Sequence, residues 1–449
     1  MTTPSVEDWS GILDLFEHAV PSEFFDQLQR DLGLSNRQRV FTLQLVVWLM
    51  ISQRLTPRAT LSATVEQMAQ GLPNHLRSNH KRVREGAISA HTGAYSDARH
   101  AVPVVVAEKV ADRVLEHVMK ACPDALPGWN RRVFILDGSS LEMPHTPDLV
   151  AAYPPHPQSH WPVMRILVAQ DLTTGLAQRP CWGPMYGPQA VSEQALTERM
   201  LDRMPPHSVF IADINFGVFT VAFAATQRSH EVLVRLQPSR AGVVGRGLAL
   251  QSGLDQVVCW RPSAHERKRH PQLPANACVW GRLIVQEVVA SDGSHVTLYL
   301  FTTLTSLVEQ LVELYGQRWD VETDLRSLKQ TLGLQTLRCR SVDMIAKELL
   351  LGIVGYNLVR AVMNAAAAEY GLNPRRLSFS RSQDAVNAAQ PGLEASSTPN
   401  EYRARLRRMF KHVASCKLPD RSKRASTPRK VWPRARKFPT RKVKQSRSA

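Results

Sequence analysis

Tyr315, Arg318, Glu322 and Lys329 stand at i, i+3, i+7 and i+14 of a run whose apolar residues recur every three or four positions. At about 100° per residue the four fall within an arc of about 60°. That arc borders the stripe of Leu307, Leu311, Leu314, Val321, Leu325, Leu328 and Leu332. The spacing predicts one long helix that sets a carboxylate, a tyrosine and two cations beside its buried face, a set suited to a phosphate-bearing ligand. Glu313, Asp320 and Asp324 fall on the far side. The same four residues also fit a salt-bridged amphipathic helix edge, so the reading depends on what other segments bring to them.

Two further acids close β-branched runs. Asp137 follows 133–136 and precedes Gly138, and Asp213 follows 209–212 and precedes Ile214, Asn215, Phe216 and Gly217. In an α/β sheet, side chains leaving the carboxyl ends of adjacent strands converge on one crevice. Either aspartate alone could be a turn former or a helix cap. With Glu322 they make an oxygen set that two Mg2+ ions, or Mn2+ in their place, require, because hard cations take carboxylate oxygens and keep positions open for water and phosphate. The chemistry favoured is in-line attack on a phosphodiester, one ion activating water or a 3′-hydroxyl and the other stabilising the leaving oxygen. Asp137 would bridge both ions, with Asp213 and Glu322 each completing one. Arg318 and Lys329 would hold phosphate oxygens, and Tyr315 offers a ring face and a hydroxyl.

The segments that must position these groups differ in texture. Residues 1–125 read as a helical N-terminal domain, with helix patterns at 9–20, 23–34, 37–55, 60–72 and 102–121. Its basic stretch Arg77, Lys81, Arg82 and Arg84 would suit either DNA phosphates or solvent. From 126 to 236, strands at 133–136, 164–170, 209–212 and 232–236 alternate with helices at 192–204 and 218–227, the first part of an α/β core. Residues 237–300 read as a β-rich insertion, and 301–395 as the second part of the core, with the Glu322 helix and an apolar helix over 344–366. Residues 396–449 read as a basic, disordered tail.

The chain has 449 residues, 43% of them hydrophobic, which excludes disorder throughout. Its 56 Lys and Arg against 39 Asp and Glu give a formal charge of +17, the balance of a protein that meets polyanions, with nucleic acid foremost. Twelve of the cations lie in 421–449, where there is no acid. The six cysteines form no C-x-x-C pair, so neither a zinc ribbon nor a disulfide framework is suggested and a reducing cytoplasm fits. The amino terminus does not read as a secretory signal, and the apolar runs 45–51 and 349–354 are too short to cross a bilayer. His156 and His160 have spacing that permits zinc, but neither they nor His145 have a Cys or further acid placed to finish a site.

The motif formed by Asp137 with Gly138, Asp213 with Asn215 and Phe216, and Tyr315, Arg318, Glu322 and Lys329 as Y-x2-R-x3-E-x6-K resembles that of bacterial insertion-sequence DDE transposases. The resemblance covers roughly residues 10–390. It implies an α/β fold with a ribonuclease-H-like catalytic core interrupted by a β-rich insertion, and a homodimer acting on double-stranded DNA, both the paired inverted-repeat ends and the target. It further implies strand cleavage by water, a hairpin closed by the freed 3′-hydroxyl, and joining to target DNA, in the bacterial cytoplasm at the nucleoid. It also implies that a tryptophan of the insertion, Trp260 or Trp280, stacks on a flipped base. Ile214 departs from the family, where arginine is common after the second aspartate. A nuclease of the same fold that does not transpose, and a non-catalytic or decayed DNA-binding copy, remain alternatives at this stage.

Overall fold

Thr42, Thr146, Ser192, Ser263 and Thr398 each accept a hydrogen bond from the backbone N–H three residues on, and a helix starts at every one of them. The computed structural model describes residues 10–34, 40–56, 59–70, 76–122, 126, 128–289, 294–319 and 324–419. Seven helices come first: α1 Ile12–Ala19, α2 Ser22–Asp31, α3 Leu43–Leu55, α4 Leu61–Gln70, α5 Lys81–Arg84, α6 Gly93–Ala101 and α7 Val104–Lys120. The α/β part runs β1 Val133–Glu142, α8 Pro147–Ala152, β2 Val163–Asp171, β3 Cys181–Pro184, α9 Glu193–Leu201, β4 Val209–Ala212, α10 Phe219–Gln227 and β5 Glu231–Arg235. Next come α11 Pro238–Val244, β6 Leu254–Trp260, α12 Ala264–Arg269, β7 Val279–Val289, β8 His295–Thr302 and α13 Val308–Gly316. The described chain ends with α14 Val342–Glu369, α15 Phe379–Glu394 and α16 Pro399–Ser415.

All eight strands share one sheet, in the order β3-β2-β1-β4-β5-β8-β7-β6. β1, β4 and β5 are parallel, whereas β2 runs antiparallel to β1, and β3 to β2. This is the ribonuclease-H-like core that the resemblance implies. The β-rich segment after β5 does not stand apart: β8 pairs with β5 through residues 300–302 and 233–235, and β7 and β6 extend the same edge. Within that segment two short helices, α11 and α12, interrupt the strands.

α14 is the axis of the helical layer, packed by α7, α3 and α16. By length and composition it is apolar enough to cross a membrane, longer than the sequence runs suggested, but its apolar window is wholly buried inside the protein. Tail character does not begin at 396. α16 buries Leu406, Met409, Phe410 and Val413 on one face, and Glu401 completes its cap by accepting from the Ser397 N–H at 2.9 Å. Residues 420–449, which carry the cation-rich run, lie outside the described residues.

Candidate active site

β4 ends at Ala212 opposite Leu136, so the next step along each strand puts Asp137 and Asp213 side by side where the two parallel neighbours part. The turn after β4 is tied at both ends: Asn215 N donates to Asp213 Oδ1 at 2.9 Å, and Phe216 N to the Asp213 carbonyl at 3.1 Å. Asp137 Oδ1 accepts from Gly138 N at 2.8 Å. Burial pushes the Asp137 carboxyl up to about 7, Asp213 adds to this, and so does Glu193; Gly138 N–H and Arg318 pull the other way.

Glu193 was not singled out in the sequence. It sits at the first turn of α9, where an acid reads as an ordinary complement to the helix dipole. In the fold a Cβ at residue 138 would lie 2.1 Å from the Glu193 carboxyl carbon, so glycine at 138 is what lets that carboxyl lie against β1. Arg165 Nη1 stands 4.0 Å from it.

The signature does not ride one regular helix. α13 stops at Gly316, Gln317–Trp319 is a 3-10 turn, and Ser327–Thr331 is a π turn in which Leu332 N reaches Ser327 O at 3.2 Å. The count at about 100° per residue therefore fails across the motif, and tertiary contacts position its residues instead. Tyr315 is buried, its hydroxyl acidity suppressed by burial, with Arg318, Arg235 and Asp213 all near enough to act on it. Lys329 Nζ donates to Ser139 Oγ at 3.0 Å, two residues past Asp137. Beyond the π turn, Glu142 N donates to Gln335 O at 3.0 Å and Leu337 N to Glu142 O at 2.9 Å, pinning the chain to β1. Asp324, which the helical count put on the side away from the buried stripe, is instead buried, paired with Arg360 and Arg375. Tyr315, Arg318 and Lys329 thus gather about the two aspartates. Glu322 lies outside the described residues.

Of the two tryptophans expected to stack on a base, Trp260 is buried and offers no free ring face. Trp260 is 2% exposed, its ring edge-packed on Phe301 and Phe219 at 4.8 and 6.0 Å between centroids. Trp280 is 65% exposed. However, Ile284 is the β7 residue in the same row as the aspartates, counted through Leu300 and Arg235. Trp280 therefore lies four residues, roughly 13 Å, towards the amino ends of the parallel strands. Asp171 proves to be a buried turn anchor, paired with Arg132 at 3.1 Å and accepting from Thr174 N at 2.8 Å. His145 and His160 stack at 4.0 Å, and His156 edges onto Tyr186.

Among the described residues no three His, Cys, Asp or Glu side chains are already grouped to hold a metal. Asp137 and Asp213 nevertheless fit a divalent cation: both offer hard oxygens, and the charge of Asp213 disfavours ionisation of Asp137 until a positive charge comes beside it. A family model described as the transposase DDE domain matches residues 128–358. The chain belongs to the DDE transposases. It is similar to the transposase InsG for insertion sequence element IS4 of Escherichia coli K12, at 25% identity over 421 residues, covering 90% of this chain and 88% of that one. Among solved structures it is similar to the piggyBac transposase synaptic complex with hairpin DNA, with 11% identity and a TM-score of 0.42, over 90% of this chain and 86% of that one. This transposase is therefore an enzyme of phosphodiester cleavage and transfer, and transposases with this domain work on DNA with divalent metal ions.

Proposed function

We propose that this transposase cuts DNA strands at the inverted-repeat ends of its own insertion sequence and joins the freed 3′ ends to target DNA through a hairpin intermediate. Asp137, Asp213 and Glu322 would hold two Mg2+ ions, with Mn2+ as a substitute. The observation that carries this reading is the convergence of Asp137 and Asp213 at the parting of β1 and β4, one of them held near neutrality, beside Arg318 and Tyr315. When bound, the ion pair supplies Lewis acidity at the attacking and leaving oxygens.

The chain's own groups do the rest. Asp137 gives up its proton to become a ligand, and Gly138 N–H then stabilises the carboxylate. Arg318, placed to act on Asp137, offers its planar fork to a phosphate oxygen as charge builds there. Lys329, steadied by Ser139, holds a neighbouring phosphate in register. We assign the active form to a homodimer on two DNA ends, in the bacterial cytoplasm at the nucleoid. The +17 charge and the exposed Lys81, Arg82 and Arg84 support attraction to the DNA backbone.

The test is a labelled duplex ending in the inverted repeat that flanks the gene, incubated with Mg2+. Nicked, hairpin and joined products should form in that order; nicks alone would remove the hairpin and joining steps and leave a nuclease. Lys329→Ala should lower end binding or hairpin formation about tenfold or more while Mn2+ binding persists. If neither changes, Lys329 has no phosphate role.

A further inference from the structure

Two adjacent buried residues of α14 fasten both walls of a cleft far from the acids. Lys347, 1% exposed, donates from Nζ to the carbonyls of Arg99, His100 and Val102 at 2.9, 3.2 and 2.8 Å, capping the end of α6. Glu348 pairs with Arg54 of α3 and accepts from Arg338 N and Cys339 N at 2.9 and 2.8 Å. Between these walls lies a cleft of about 590 Å³ whose lining includes Arg54, Arg99, Arg338 and Arg340. Glu348 is the one acid among its described lining residues, and it is already bonded three times. Arg99 Nε is buried without a hydrogen-bond partner, and the guanidinium otherwise reaches Cys339 Sγ at 3.6 Å. Burial lowers the Arg54 pKa to about 10, and the nearby Arg338 and Arg99 add to that.

We infer that this cleft between the helical layer and the core is an anion cradle that takes backbone phosphates of the bound DNA. The inference rests on the DNA-end reading above and adds to it the place where the duplex is gripped away from the chemistry. Thr336 bridges Glu142 in parallel, and Thr146 Oγ1 donates to Arg340 O at 3.0 Å, so the chain carrying Arg338 and Arg340 continues outward past the end of β1. Glu142 stands five residues beyond Asp137, roughly 17 Å at about 3.3 Å per residue. A duplex rising about 3.4 Å per base pair would meet the cradle about five or six base pairs from the cut phosphate.

The test uses the full chain and the double variant Arg338→Ser, Arg340→Ser, both exposed positions. Binding to the inverted-repeat duplex is read across a salt series, with thermal unfolding in inorganic phosphate alongside. The double variant should bind about tenfold or more weakly at 150 mM salt, its plot of log affinity against log salt should flatten by about two, and its unfolding temperature should match wild type. Equal affinity and slope in the two proteins would overturn the inference while leaving the DNA reading intact. If wild type bound no duplex, the DNA reading itself would fail. If phosphate raised the unfolding temperature of wild type alone and duplex binding stayed equal, the cradle would serve a free anion and the DNA assignment would be overturned.

Discussion

Asp137→Asn is expected to abolish Mg2+-dependent end cleavage, by at least about 10³-fold, and at the same time to make the metal-free protein more stable at pH 8. The two effects share one cause. The Asp137 carboxyl, ordinarily near 3.8, is pushed to about 7 in the fold by burial and by Asp213. Between those values the folded protein holds a proton that the unfolded chain releases, so stability falls as pH rises from about 4 through 7. Asparagine keeps an oxygen for the Gly138 N–H without the charge. Allowing for the partial access of solvent, the gain should be about 1–3 kcal/mol at pH 8, or a few degrees in Tm, shrinking as the pH falls towards 4. Mn2+ should reverse the order by stabilising wild type and not the variant. Equal stability of the two proteins across pH 4–8 would show that Asp137 bears no such burden.

Asp324→Ala is the second large effect, and it acts on the scaffold. Asp324 Oδ2 accepts from Arg375 Nη2 at 2.6 Å and Oδ1 from Arg360 Nη2, with Asp324 and Arg360 buried and Arg375 half-buried. Removing the acid strands the buried Arg360 guanidinium and the half-buried one of Arg375, which costs about 3–5 kcal/mol. The consequence reaches the chemistry because this network fastens the segment between Arg318 and Lys329 to α14. Denaturant unfolding should show the loss. Replacing the three charged residues together, as Asp324→Leu, Arg360→Met and Arg375→Met, should recover much of it. A loss below about 1 kcal/mol for Asp324→Ala would mean that packing alone holds this segment.

What could be read from the sequence was whatever local chemistry dictates. Short β-branched runs ending in Asp-Gly or Asp-x-Asn named both strand-end aspartates, and it was their pairing with the Y-x2-R-x3-E-x6-K motif that set them apart from ordinary turn formers. Tertiary contacts hid the remainder. The 3-10 and π turns around the signature go with ties to Ser139, Glu142 and Arg360, which no helical count contains. α16 was masked by its arginines, although Leu406, Met409, Phe410 and Val413 keep a helical spacing. Trp260 and Trp280 differ by strand register and burial, and neither is visible in composition. Glu193 reaches β1 because residue 138 lacks a side chain, a relation between positions 55 residues apart.

Anomalous diffraction from crystals grown with Mn2+ and the end duplex would locate the divalent ions that Asp137, Asp213 and Glu322 are proposed to share. Anomalous peaks are expected within about 2.0–2.6 Å of carboxylate oxygens from all three residues. Mn2+ located elsewhere, with these carboxylates bonded only to protein groups, would contradict that sharing.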